Sequence, residues 1–200
     1  MAPTPHPPDP RRRSEKSHRA ILDAAMELSV EHGYGNVTVE AIAARAGVSK
    51  KTIYRWWPTK GAVLLEAFIE LAGTATRFPD TGDVAADLHT QMTAVLAHVM
   101  SGPHAPVYAG IVAETQHDAA LARDLRAQLL DPRVAAARER LLLARDRGQL
   151  AADADVELAV DLLYGPLYYR LLLHFGPYSP ERLRSHVAHV LGAFGPERRI

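Results

Sequence analysis

Two hundred residues with 23 acids and 23 bases carry no net charge when histidine is neutral, so bulk charge does not attract nucleic acid and any such contact needs a local basic patch. The absence of cysteine excludes a disulfide framework, a thiolate metal site and a redox thiol, and no stretch is long and apolar enough to span a membrane. The 48% apolar content suffices for a core, and the start MAPTPHPPDPRRR has no apolar signal-peptide segment, so a soluble cytoplasmic protein is expected.

Residues 1–13 read as a disordered Pro/Arg-rich arm, since five of the first ten are proline and Arg11, Arg12 and Arg13 follow. Such an arm is either a solubilising tail or a reach into a DNA groove. Ser14 is placed to cap a first helix running to about His32, whose stripe Ile21, Ala24, Ala25 and Leu28 has helical spacing. Gly33 and Gly35 end it, with Tyr34 tucked between them.

The stretch 38–60, TVEAIAARAGVSKKTIYRWWPTK, carries the strongest local signals. Thr38 caps a short helix whose Val39, Ile42, Ala43 and Ala46 share one face, and Gly47 closes it in a tight turn. Ser49 caps a second helix three residues later, the spacing of a helix-turn-helix whose second helix enters a major groove. Arg45, Lys50, Lys51, Arg55 and Lys60 fall here with no acid from Arg45 onward, interleaved with Tyr54, Trp56 and Trp57. Clustered bases of this kind attract phosphates. Residues 14–60 are therefore read as a three-helix DNA-binding domain and 61–200 as a larger helical domain.

Pro58 stops the chain and Thr59 caps a fourth helix with Leu64, Ala67, Phe68 and Leu71 on one face. After a loop at Phe78–Gly82 the chain reads as helical throughout, with no strand-like alternation. A helix over Asp83–Met100 and another after Pro103 and Pro106 are expected. The segment Asp118–Arg147 is interrupted by Asp131-Pro132 and is either one kinked helix or a fresh start capped by Asp131. Asp155 opens a helix to about Phe175, apolar almost all round, in which Gly165-Pro166 predicts a kink that shapes a pocket or a dimer contact. Ser179-Pro180-Glu181 opens the last. Helices 155–175 and 180–194 are read together as the interface of a homodimer closing as a four-helix bundle.

The residues RAILDAAMELSVEHGY (19–34), TVEAIAARAGVSKKTIYRWWPTK (38–60) and GAVLLEAF (61–68) resemble the TetR family of transcriptional regulators, and the later helical part, notably 153–173, is similar with less specific motifs. The resemblance implies an all-α fold, a homodimer on a palindromic operator, and a repressor released when a small molecule enters the C-terminal domain. It further implies that Thr38 contacts phosphate, that Ser49, Lys50, Lys51 and Thr52 reach bases and phosphates, and that Tyr54 bonds a phosphate. Trp56 stands where Tyr or His is common, Trp57 takes the core Phe position, and Lys60 meets a phosphate at the start of the fourth helix. Gly61 departs from the Glu often found there. Of Lys50 and Lys51, one is expected on a base edge and one on phosphate, without assignment.

An alternative is a helical small-molecule or metal-binding protein, or an enzyme, that does not bind DNA. Glu15-x-x-His18 and Glu114-x-x-His117 match the i, i+3 spacing of di-iron bundles, but the partner glutamates are not evident and Glu15 and His18 lie among charged residues. No zinc-protease, Walker, nucleophile-elbow or dinucleotide motif occurs, so no catalytic residue, metal site or cofactor is assigned. The effector pocket is expected among helices 61–175. Its candidates are Met92, His98, Tyr108, Glu114, His117, Tyr164, Tyr168, Tyr169, Arg170 and His174, which suit a mostly apolar or aromatic ligand held by a few hydrogen bonds.

Overall fold

The computed structural model describes residues 10–73 and 77–196, the side chains of 10–13 excepted. The first nine residues of the predicted arm lie outside them. All described regular structure is helical, in two compact units that meet in sequence at Glu70 and Leu71.

In the first unit, α1 (Pro10–His32) starts four residues before Ser14, so Ser14 lies inside the helix and does not cap it. Its stripe of Ile21, Leu22, Ala24, Ala25 and Leu28 is buried. Gly33, at φ 81°, turns the chain into a single 3₁₀ turn at Tyr34–Asn36 that seats the Tyr34 ring inside. α2 (Val39–Ala46) is capped as read, with the Ala41 N–H donating to Thr38 Oγ1 at 3.1 Å. Gly47 then takes the left-handed conformation, φ 66°, and lets the Val48 N–H close back on the Ala43 carbonyl at 3.0 Å.

α3 (Lys50–Tyr54) is only five residues long, and Ser49 caps it through the Thr52 N–H at 3.2 Å. α4 (Lys60–Ala72) begins with the Ala62 N–H on Thr59 Oγ1 at 3.2 Å, which anchors the helix start around Gly61. Val63, Leu64, Ala67 and Phe68 of α4 are buried with Ile42 and Ile53 as core residues. The sequence boundary at residue 60 thus differs from the compact unit, which holds α4 as far as Glu70.

The second unit contains α5 (Val84–His98), α6 (Ala105–Glu114), α7 (Ala119–Leu125), α8 (Asp131–Asp146), α9 (Val156–Leu172) and α10 (Pro180–Ala193). α5 packs on α8 and α10, and α9 packs on α6, α8 and α10. Leu88, Met92, Tyr108, Ile111, Leu141 and Leu163 form the centre of its core. Between α7 and α8 the chain does not restart at Asp131. Residues Arg126–Leu130 form one π-helical turn, and the Asp131 N–H reaches back to the Arg126 carbonyl. Pro132 cannot donate, and the widened turn carries the helix across it.

A buried ion pair ties this unit together. The Arg140 guanidinium on α8 donates to Asp87 Oδ2 on α5, its Nε at 2.9 Å, and Thr81 donates to the same carboxylate from both its hydroxyl (2.6 Å) and its N–H. Both charged side chains are almost fully enclosed.

α9 is continuous from Val156 to Leu172 with Pro166 inside it, so Gly165-Pro166 does not end the helix. Proline's fixed φ is helical, and only one ladder hydrogen bond is lost. Val156, Ala159, Val160, Leu163 and Leu167 are buried, while Leu158, Leu162, Tyr169 and Leu172 form an exposed stripe on the other side. The α10 stripe of Leu183, Val187 and Val190 is spent inside the unit.

Candidate nucleic-acid interface and effector cavity

The ten basic and polar residues expected at DNA divide into two groups. Ser49, Lys51, Thr52, Tyr54 and Arg55 line one open depression of about 410 Å³ on the first unit. Tyr54 is 52% exposed, and the exposed Lys51 ammonium has no hydrogen-bond or ion-pair partner among the described residues, while the Lys51 carbonyl accepts from the Arg55 N–H. Thr38 is exposed while its hydroxyl serves as a cap. This surface offers two cations, two hydroxyls and a phenol from one short helix and its flanks, the donor set that positions phosphates and reads base edges.

The other predicted contacts are held by the protein itself. Arg45 forms a bidentate pair with Glu31 on α1 (3.0 and 2.8 Å) and also meets Glu27, bracing α2 against α1. Its hydrogen bond holds the Glu31 carboxyl below the usual range. The Lys60 ammonium donates to the Tyr34 and Val37 carbonyls (3.1 and 3.2 Å) and lies 4.8 Å from the Tyr34 ring centre. It therefore clamps the 3₁₀ turn and Val37 to α4 and does not face outward. Trp56 packs edge-on against His18 (5.3 Å) and Trp57 (5.4 Å), with the Arg55 guanidinium 4.6 Å over its ring. Lys50 is exposed but bonded to Glu40 at 2.8 Å, and that bond raises its ammonium above the ordinary lysine value.

Trp57 is buried, 4% exposed, and its indole N–H donates to Glu66 Oε2 at 2.6 Å. His18 sits over Trp57 (4.7 Å) with Nε2 3.0 Å from Glu66 Oε1. The histidine of the Glu15-x-x-His18 match thus pairs with α4. Ligand atoms of His18, Glu66 and Glu70 come within 4.8 Å of one another, but Glu70 accepts from Arg19 at 3.0 Å and Glu66 from Trp57. Those carboxylates already have structural partners, and the group does not resemble an open metal site.

The second unit holds two adjoining cavities. The inner one, about 70 Å³, is lined by Gln91, Val95, Val99, Met100, Tyr108, Leu130, Arg133, Val134, Tyr164 and Tyr168. Tyr108 and Tyr168 bond through their hydroxyls at 2.8 Å, and Tyr164 donates to Gln91 Oε1 at 2.6 Å. Burial pushes all three phenols above the ordinary tyrosine value, so each is neutral at physiological pH. The outer groove, about 300 Å³, lies between α6 and α9 and includes Met100, Arg170, His174 and Tyr178.

Five predicted pocket residues are therefore cavity residues: Tyr108, Tyr164 and Tyr168 inside, Arg170 and His174 outside. Met92 is wholly buried in the core and lines neither. His98 and His117 are exposed, Glu114 is half-exposed at the end of α6, and Tyr169 faces outward, so none of these reaches a cavity. Gln91 and Arg133 were missed. Arg133 follows a proline in a charge-rich segment and reads locally as a solvated helix face.

Two family profiles match this chain: bacterial regulatory proteins of the tetR family over residues 21–67, and the tetracyclin repressor-like C-terminal domain over 78–190. The chain belongs to the TetR family. It is 39% identical to the HTH-type transcriptional regulator YdeS of Bacillus subtilis over 82% of each chain. It is 30% identical to the DNA-binding transcriptional repressor TetR of Mycobacteroides abscessus, over 90% of this chain and 94% of that one. The crystal structure of the TetR family transcription regulator SCO0332 is 37% identical, with a TM-score of 0.72 over 90% of this chain and 100% of the other. As a TetR-family member the protein is a DNA-binding, ligand-responsive transcriptional regulator and not an enzyme.

Proposed function

We propose that this TetR-family regulator acts as a homodimeric repressor in the cytoplasm. Each copy reads one half of an inverted-repeat operator through Ser49, Lys51, Thr52, Tyr54 and Arg55, and a small molecule in the α5–α9 cavities releases it. The observation that carries the reading is the exposed donor surface around Lys51, placed at the start of a helix that Gly47 and Ser49 set off from α2. Lys51 is the base-edge or phosphate lysine free to act, whereas Lys50 must first leave Glu40.

The exposed stripe Leu158, Leu162, Tyr169 and Leu172, with Gly165 in the middle allowing close approach, supports α9 as the apolar half of the dimer contact. The outward side of α10 adds Ser185, Ala188, His189 and Gly192, small or polar groups suited to a rim. Selection of bound sequences from random duplex DNA tests the proposal. An enriched inverted repeat is expected, and no enrichment even at low salt overturns it.

A further inference from the structure

The bases of the 38–60 stretch are not equally open to a polyanion. Arg45 is held by Glu31 and Glu27 of α1, and Lys60 by the Tyr34 and Val37 carbonyls, so both serve the fold. Lys51 and Arg55 line the open depression, and neither side chain forms an ion pair among the described residues. Lys50 stands between these cases. It is the first residue of α3, next to Ser49 and Lys51, yet its ammonium lies 2.8 Å from Glu40 Oε1 in the first turn of α2. The Glu40 and Lys50 side chains are 63% and 54% exposed, so a duplex seated on α3 can reach this pair.

We propose that Glu40 is an internal competitor for DNA phosphate, withholding Lys50 from the backbone of non-operator duplex and so holding down sequence-independent binding. The proposal rests on α3 being the DNA-contacting surface and gives a positioning role, exerted through Lys50, to a residue of α2. A carboxylate and a phosphate both accept a charged hydrogen bond from an ammonium, so moving Lys50 from Glu40 to a phosphate replaces one anion by another. Proximity then decides. Glu40 is ten positions away on the same compact unit, across a turn fixed by the left-handed Gly47 and by the Val48 N–H on the Ala43 carbonyl. It presents its carboxylate at high effective concentration, whereas a sliding complex offers phosphates at no fixed place. The bond also holds the Glu40 carboxyl below the ordinary glutamate range, so the acid stays charged at physiological pH.

On non-operator duplex α3 and its flanks therefore bring two cations to the backbone, Lys51 and Arg55, in place of three. Each cation on a phosphate releases about one counterion, so withholding Lys50 flattens the slope of log affinity against log salt by about one per copy. Non-operator sites vastly outnumber operators in a genome, and weaker binding to them leaves more protein free.

The test measures the affinity of the full-length protein for a random-sequence duplex by fluorescence anisotropy across a salt series, with circular dichroism to confirm folding. Glu40→Gln keeps the shape of the side chain and removes its charge. It is expected to tighten binding on the order of fivefold at about 0.15 M salt and to steepen the slope by about one for each copy engaged, the effect of one more phosphate contact. In a Lys50→Met background the same change should leave the slope where Lys50→Met alone puts it. A slope unmoved by Glu40→Gln overturns the proposal. A steepening that persists in the Lys50→Met background overturns it too, because Glu40 then repels the duplex directly and does not act through Lys50. The Lys51→Ala/Arg55→Ala variant tests the reading beneath. If it binds random duplex as tightly as the parent, the α3 surface is misplaced and both readings fall; weakened binding there, with no effect of Glu40→Gln, removes the role of Glu40 alone.

Discussion

Lys51 and Lys60 show how differently one residue type is used within ten positions. Lys51 stands on an open surface, while Lys60 is consumed by the carbonyls of Tyr34 and Val37. Lys51→Ala is therefore expected to weaken binding to all duplexes and to reduce the slope of log affinity against log salt by about one if its contact is to phosphate. If it reads a base instead, the loss falls on the cognate sequence, by about 1–3 kcal/mol. Fluorescence anisotropy across a salt series separates the two. Lys60→Met should behave in the opposite way. It should lower the stability of the first unit by about 1–3 kcal/mol in urea titration, because two turn carbonyls lose a charged donor, and leave the salt slope of operator binding unchanged.

At the scale of elements, the Asp87–Arg140 pair joins α5 to α8 and holds the loop at Thr81. Burial alone would raise the Asp87 carboxyl, but the hydrogen bonds from Thr81 and Arg140 outweigh it and hold it below its ordinary value. A carboxyl depressed in the folded state contributes stability that is present above its unfolded value, about 3.9, and is lost as pH falls through the lower folded value. Melting curves should show that loss only below about pH 4. Asp87→Asn should remove that acid-dependent step and cost about 3–5 kcal/mol at neutral pH, since it strands a buried guanidinium. A variant as stable as the parent at pH 7 would refute a structural role for the pair. The helix ends themselves are local devices: Thr38, Ser49, Asp83, Asp118, Asp155 and Ser179 each cap the helix that follows them through their side chains.

For the whole molecule, the exposed face of α9 is the feature that one chain leaves unfinished. Leu162→Glu places a charge in the middle of that stripe, where the single chain has solvent and a dimer would have a second apolar face. Sedimentation should then show a monomer with unchanged helical circular dichroism, and operator affinity should fall because half-site contacts no longer act together. A dimer that persists with Leu162→Glu would place the interface elsewhere.

The amino-acid sequence by itself determined what depends on neighbours within a turn or two: the caps, the left-handed turn at Gly47, the buried stripes of α1, α2 and α10, and hence the helix-turn-helix and its family. Those features are set by the i to i+4 geometry of a helix, so they are legible wherever they occur. Only the tertiary structure decided which charges remain available. Arg45, Lys50 and Lys60 look alike in a basic run, but acids and carbonyls 10 to 26 positions away claim them. The same holds for the cavity, where Arg133 of α8 shares a lining with Tyr108 of α6 and Tyr168 of α9. Periodicity states which side of a helix turns inward. Which partner waits there is settled by packing between elements distant in the chain, and that partner determines whether a cation braces the fold or meets a ligand.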